Sequence, residues 1–187
     1  MRLFIGISLP KTLRTRIQRA ARVMRDAELP VRWIDPDHFH IALKTLGDVR
    51  REKVEAVEQA IGRVAAETTA FSTGLSGFGA FPTIRRPSVI WLGVGANAEL
   101  RCLKQDLEWA LGDIGFGAET RAFHPHVTLG RADEAGGAGA FRGLDTIMAE
   151  LDFEDELKVH TLDLMRSHVS RDGAHYTVLS TAKLAST

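Results

Sequence analysis

The chain has 187 residues, 44% hydrophobic and 26% charged, enough for one domain with a substantial core or for two tightly fused small lobes. Lys+Arg and Asp+Glu balance at 24 each, which argues against a coat for long nucleic acid, because phosphate neutralisation calls for a basic excess; a nucleic-acid ligand is expected to be held at a terminus or over a few nucleotides. No apolar run reaches the roughly 18 residues of a membrane span, MRLFIGISLPKTLRTRI lacks the small-residue cleavage site of a secretory signal, and the single cysteine, Cys102, suits a reducing cytoplasm.

Arg2 to Leu9 reads as an opening strand. Pro10 suits a first helical turn, and Leu13, Ile17, Ala20, Ala21 and Met24 continue one apolar stripe. Arg14, Arg16, Arg19, Arg22 and Arg25 on that helix read as a solvated face. Val31 to Ile34 is a short strand, and Phe39 to Leu46 a second, closed by Gly47-Asp48. Val54, Val57, Ile61 and Val64 mark a helix over residues 50–67. Phe71 to Phe81 reads as a strand interrupted by glycines, residues 82–87 as a turn carrying Arg85 and Arg86, and Val89 to Val94 as an apolar strand.

Asn97 is an N-cap for a helix whose inner face is Leu100, Leu103, Leu107, Leu111 and Ile114, with Gly115 as its C′ residue. Cys102 and Trp109 are expected to pack within it. A strand over residues 117–123 and another starting near His126 follow, then a flexible loop, Ala135 to Ala140, and a short helix, Phe141 to Glu150. Leu157 to Met165 alternates as one strand, and Ala174 to Leu184 pairs with it behind the turn Arg171-Asp172-Gly173. The class is α+β, without a phosphate-cradling glycine motif.

Two tetrads stand out, His40-Ile41-Ala42-Leu43 and His126-Val127-Thr128-Leu129, nearly half the chain apart. Side chains alternate along a strand, so His40 shares a face with Ala42 and His126 with Thr128, while the aliphatic partners point the other way. The repeat suggests a duplicated lobe that brings two imidazoles together. One can then act as general base and the other as general acid, since an unperturbed pKa of about 6.5 keeps both forms accessible near neutrality. His160, His168 and His175 lack a matching context. His38 and His124, each two residues before a motif histidine, leave a four-histidine metal site open as an alternative.

At these residues the chain resembles the 2H phosphoesterase superfamily, and more closely its RNA 2′,3′-cyclic phosphodiesterase (LigT-like) branch. The likeness runs through Met1-Arg2-Leu3-Phe4-Ile5, Val31-Arg32-Trp33, His40 to Gly47, Gly79-Ala80-Phe81-Pro82, Val89 to Val94, and Phe123 to Leu129 with Arg131. It implies a single bilobal domain over residues 1–187, with two pseudo-symmetric antiparallel sheets flanking a central groove and helices outside. It implies metal-independent, cofactor-free opening of a terminal 2′,3′-cyclic phosphate on RNA, or on a small cyclic nucleotide, to a 2′-phosphate. Some members also seal RNA ends through a 2′–5′ linkage.

By that resemblance His40 and His126 are catalytic, with His126 as base and His40 as acid or the reverse, and Thr128 and Arg131 contact the phosphate. Strict alternation sets Arg131 on the wrong face, unless Gly130 allows a bulge. Ala42 stands where the family has Thr or Ser, and Thr45 where many relatives carry a base-stacking aromatic. These departures motivate a second reading, a module that binds RNA ends or nucleotides with little turnover. A cytoplasmic monomer with no membrane partner is expected.

Overall fold

The computed structural model describes residues 1–133, 136–171 and 173–186. Ala135 of the expected flexible loop and Asp172 of the expected turn lie outside them. The elements in order are β1 (Arg2–Ser8), α1 (Lys11–Ala20), α2 (Arg22–Asp26), β2 (Val31–Trp33), a 3-10 turn (Pro36–His38), β3 (His40–Asp48), α3 (Arg51–Glu67), β4 (Phe71–Pro82) and β5 (Pro87–Val94). They continue as α4 (Ala98–Gly112), β6 (His126–Ala132), α5 (Leu144–Glu150), β7 (Glu154–Val159), β8 (Thr161–Ser170) and β9 (Gly173–Lys183). No helix among the described residues is long and apolar enough to cross a membrane.

The local rules hold well in the helices. Asn97 caps α4 by accepting from the Leu100 N–H at 2.9 Å. Past its other end Gly115 takes a positive φ of 100°, and the Phe116 N–H reaches back to the Leu111 carbonyl at 3.0 Å. That wrap closes a helix through a left-handed glycine. Leu100, Leu103, Leu107 and Leu111 are fully buried. Cys102 and Trp109 are not, contrary to expectation: both lie on the outer face of α4, Trp109 65% exposed.

The strands run in the order β7-β4-β5-β6-β3-β1-β8-β9, all antiparallel, with β2 added to the free edge of β6. The two expected sheets are therefore halves of one nine-stranded sheet, joined where Ile41 of β3 pairs with Val127 of β6. One lobe holds β3, β1, β8 and β9, and the other holds β6, β5, β4 and β7. Helix α4 packs on β3, α3 on β8 and β9, and α5 on β4.

Three expectations need correction. Leu157 to Met165 is two strands, because the chain leaves β4 at Val159 and, from Thr161, pairs with β9 and then, from Asp163, with β1 as well. The buried apolar set passes from odd positions, Leu157 and Val159, to even ones, Leu162 and Leu164, so the change of partner shows as a change of phase that reading one strand overlooks. The C-terminal hairpin thus completes the N-terminal lobe, and the lobes are not the two halves of the chain. Residues 117–123 form no strand; their polar groups are taken up by side chains of β3 and α4. The short helix begins at Leu144 rather than Phe141, since Gly143 at its start has φ 91°.

Candidate active site

The Ile41–Val127 pair fixes the geometry of both motifs. Its side chains are fully buried, so by alternation their neighbours His40, Ala42, His126 and Thr128 face the opposite side. The register sets His40 across from Thr128 and Ala42 across from His126. The two histidines are diagonal neighbours, a relation that spans about 7–8 Å between antiparallel strands. That interval leaves room for a phosphate between the rings.

Each ring is held by the same device. His40 Nδ1 lies 2.8 Å from the His38 carbonyl, and His126 Nδ1 lies 2.7 Å from the His124 carbonyl. A carbonyl only accepts, so Nδ1 carries the proton and donates it. Nε2 is left as the reactive nitrogen on both rings. The His-x-His spacing thus supplies the orienting backbone carbonyl at each motif. The His38 ring packs 5.4 Å from that of His175 and 5.8 Å from that of Tyr176. The His124 ring sits 5.0 Å from Phe81 and 5.2 Å from Trp91. Among the described residues no group of three or more His, Cys, Asp or Glu is placed to hold a metal ion.

Aromatic rings wall both imidazoles. His40 lies 4.9 Å from Phe4 and 4.7 Å from Tyr176, and His126 lies 5.2 Å from Phe81. Burial pushes the pKa of each histidine below its usual value; the Nδ1 hydrogen bond works the other way without restoring it. Positive charge adds to the depression, from His126, His38 and Arg131 at His40, and from His124 and Arg131 at His126. Tyr176, the chain's single tyrosine, is the site residue that sequence reasoning missed. It reaches His40 from the far edge of the lobe, and a hollow of about 160 Å³ opens between Tyr176, His40 and Arg14.

Arg131 does face the cleft. In the β5–β6 ladder Trp91 pairs with Thr128 and Ile90 with Gly130, so Leu129 is an extra residue. This bulge inverts the alternation and brings Arg131 to the side of Thr128. Gly130 is required there: a Cβ would stand 2.6 Å from Val31 Cγ1 and 2.9 Å from Trp33 Cε3.

A buried charge network holds the other motif strand. Lys44, 1% exposed, donates to Glu108 Oε2 at 2.8 Å and to the Gly117 carbonyl at 2.9 Å. Lys104 donates to the Leu43 carbonyl at 2.6 Å and pairs with Glu108 and Glu119 at 2.8 and 2.9 Å. The Thr45 N–H donates to Glu119 Oε1 at 3.0 Å. Beyond Ile41 the edge of β3 has no strand partner on the β6 side. These side chains, with the segment leading to His124, satisfy it instead.

The model of the 2′-5′ RNA ligase superfamily matches residues 9–171. The RNA 2′,3′-cyclic phosphodiesterase of Aeropyrum pernix is 32% identical over 172 residues, covering 91% of this chain and 96% of that protein. The enzyme of the same name from Methanothermobacter thermautotrophicus is 27% identical over 186 residues, covering 98% and 99%. The crystal structure of E. coli LigT complexed with 3′-AMP superposes with a TM-score of 0.75 at 28% identity, over 98% of this chain and 97% of that one.

Proposed function

The chain belongs to the 2′-5′ RNA ligase superfamily and is an RNA 2′,3′-cyclic phosphodiesterase, and we propose that His40 and His126 open the cyclic phosphate as a proton-transfer pair. The observation that carries this reading is the matched pair of imidazoles, each with Nδ1 tied to a carbonyl and Nε2 free, on one face of the β3–β6 junction. Water attacks phosphorus in line with the P–O3′ bond and gives its proton to Nε2 of His126. The P–O3′ bond breaks, and Nε2–H of His40 protonates the departing O3′, leaving a 2′-phosphate and a 3′-hydroxyl. The charge that builds on the non-bridging oxygens is met by the Thr128 hydroxyl and the Arg131 guanidinium. No step calls on a metal or organic cofactor, and the lobes act as one cytoplasmic, monomeric unit.

Incubation with a 2′,3′-cyclic mononucleotide, followed by ³¹P NMR, tests the mechanism. His40→Ala and His126→Ala are each expected to abolish conversion while circular dichroism stays unchanged. Full activity in either variant overturns the paired roles. Loss of wild-type activity in EDTA, with stoichiometric metal in the pure protein, favours a metal hydrolase instead.

A further inference from the structure

Although Lys+Arg and Asp+Glu balance over the chain, arginines gather beyond the far end of β6. Arg131 stands directly opposite Arg32 of β2, and both are exposed. Like charges facing each other across an antiparallel pair are destabilising. Next to them opens a groove of about 830 Å³ between the β4–β5 loop and the segment before α5. Arg85, Arg86 and Arg142 line it, against the carboxylates of Asp133 and Asp145. Thr83 Oγ1 accepts from the Arg86 N–H at 3.1 Å, which shapes the loop carrying two of these arginines. None of the five arginines forms an ion pair among the described residues. By contrast Arg14, beside His40 in the other lobe, is neutralised by Asp37 at 3.1 Å.

We propose that this groove, reached over Arg32 and Arg131, holds the phosphodiester backbone of the RNA strand 5′ to the cyclic phosphate. The inference rests on the proposed function and extends it from the terminal nucleotide to the tail. Strand β6 leads from the reacting centre to the groove. At about 3.3 Å per residue, Asp133 lies roughly 20 Å beyond His126. The charge of Arg131 reaches both imidazoles, so the arginine trail begins at the catalytic pair. Guanidiniums recognise backbone phosphates without reading sequence, and a short groove of this kind suits a protein with no overall basic excess.

The test compares wild type with Arg85→Gln/Arg86→Gln/Arg142→Gln, all three being exposed. Fluorescence anisotropy of a 2′-phosphorylated oligoribonucleotide of roughly six nucleotides, enough to span the path at about 3.4 Å each, gives affinity against salt. With about 0.7 in log–log slope per single-strand phosphate, the variant slope is expected to be about 2 shallower. Curves that converge at 1 M salt then differ about hundredfold at 0.1 M. Turnover of a 2′,3′-cyclic mononucleotide, too short to reach the groove, is expected to match wild type. An unchanged salt slope overturns the groove, and so does a loss of mononucleotide turnover as large as the loss of oligonucleotide affinity. A wild-type protein that binds the oligonucleotide but does not turn over the cyclic mononucleotide tells against the proposed function, while the slope still judges the groove.

Discussion

Thr45 and Arg131 hold equivalent places in the two lobes: each stands five residues beyond its histidine, follows a bulge at a leucine and faces the cleft. In β3 the skipped residue is Leu43, since Ile5 pairs with Lys44 and Gly6 with Ala42. In β6 it is Leu129. The duplication thus extends past the tetrads into the backbone irregularity, although the side chains have diverged at Ala42/Thr128, Lys44/Gly130 and Thr45/Arg131.

Thr45 pairs across β1–β3 with Phe4, the ring beside His40. An aromatic side chain there would continue that wall into open space. Base stacking is worth about 1–3 kcal/mol, so Thr45→Phe should lower KM for an RNA end about tenfold or more. Inorganic phosphate, which has no base, should inhibit both proteins equally. A KM that does not move on RNA would show that the base leaves by another route.

Ala42 lies opposite His126 and is exposed to the cleft. A threonine there adds a hydroxyl at the corner diagonal to Thr128. Because one such donor is worth about 10²–10³ in rate, Ala42→Thr should raise kcat at least about tenfold and Thr128→Ala should lower it by the larger factor. A donor used on the transition state changes kcat more than KM. Equal kcat in wild type and Ala42→Thr would mean that the phosphate does not sit between the four corners.

The depressed histidines set the pH profile. The base works only when neutral, so activity falls at low pH; the acid works only when protonated, so activity falls at high pH. With both pKa values lowered, the bell of kcat/KM should centre on the acid side of about 6.5. The bound phosphate is an anion and favours imidazolium, so the kcat profile should lie at higher pH than that of kcat/KM. Arg131→Gln removes a positive charge that lowers both values and should shift the kcat/KM bell toward higher pH. A shift the other way would place the guanidinium away from the rings.

Much of this was legible in the chain. The paired tetrads, the Asn97 cap, Gly115 and the helix over residues 50–67 follow from local chemistry, and the structure keeps them. Alternation, however, reports only which side of a strand is apolar. It does not say which strand lies alongside, so the change of phase between Val159 and Leu162 marks a break near His160, but the return of β8 and β9 to the first lobe left no local mark. Tyr176 was hidden for the same reason: it meets His40 through three strands of sheet order. Gly130 hinted at the bulge, but the bulge itself depends on Trp33 and Val31 packing over that glycine.

Gly130→Ala tests that dependence. The added methyl meets Val31 and Trp33 inside normal contact distance, and overpacking of this kind costs about 1–3 kcal/mol. A chain of this size should lose roughly 2–12 °C in Tm. If the bulge is what aims Arg131, kcat should fall beyond the effect of partial unfolding, and Gly130→Ala/Arg131→Gln should be no slower than Arg131→Gln alone. Independent, multiplying losses would break the link between the glycine and the guanidinium.

The buried network makes a prediction whose sign depends on pH. Burial alone would raise the Glu108 pKa, but the hydrogen bonds and charges of Lys104 and Lys44 outweigh it and hold the carboxyl below its usual value. Its folded pKa is therefore below the unfolded one of about 4.3. The stabilisation is complete above that pH and drains away as pH falls through the folded value. Lys44→Met removes one of the two ammoniums and the donor to the Gly117 carbonyl. Breaking a buried pair costs about 3–5 kcal/mol, so Tm at neutral pH should drop by roughly 6–20 °C. The gap between variant and wild type should narrow as pH falls below the unfolded value and through the lowered folded one, where Glu108 protonates in the folded protein as well. A gap that stays constant with pH would assign the loss to packing around the lysine stem, and the charges would then not be what holds the His40 strand in register.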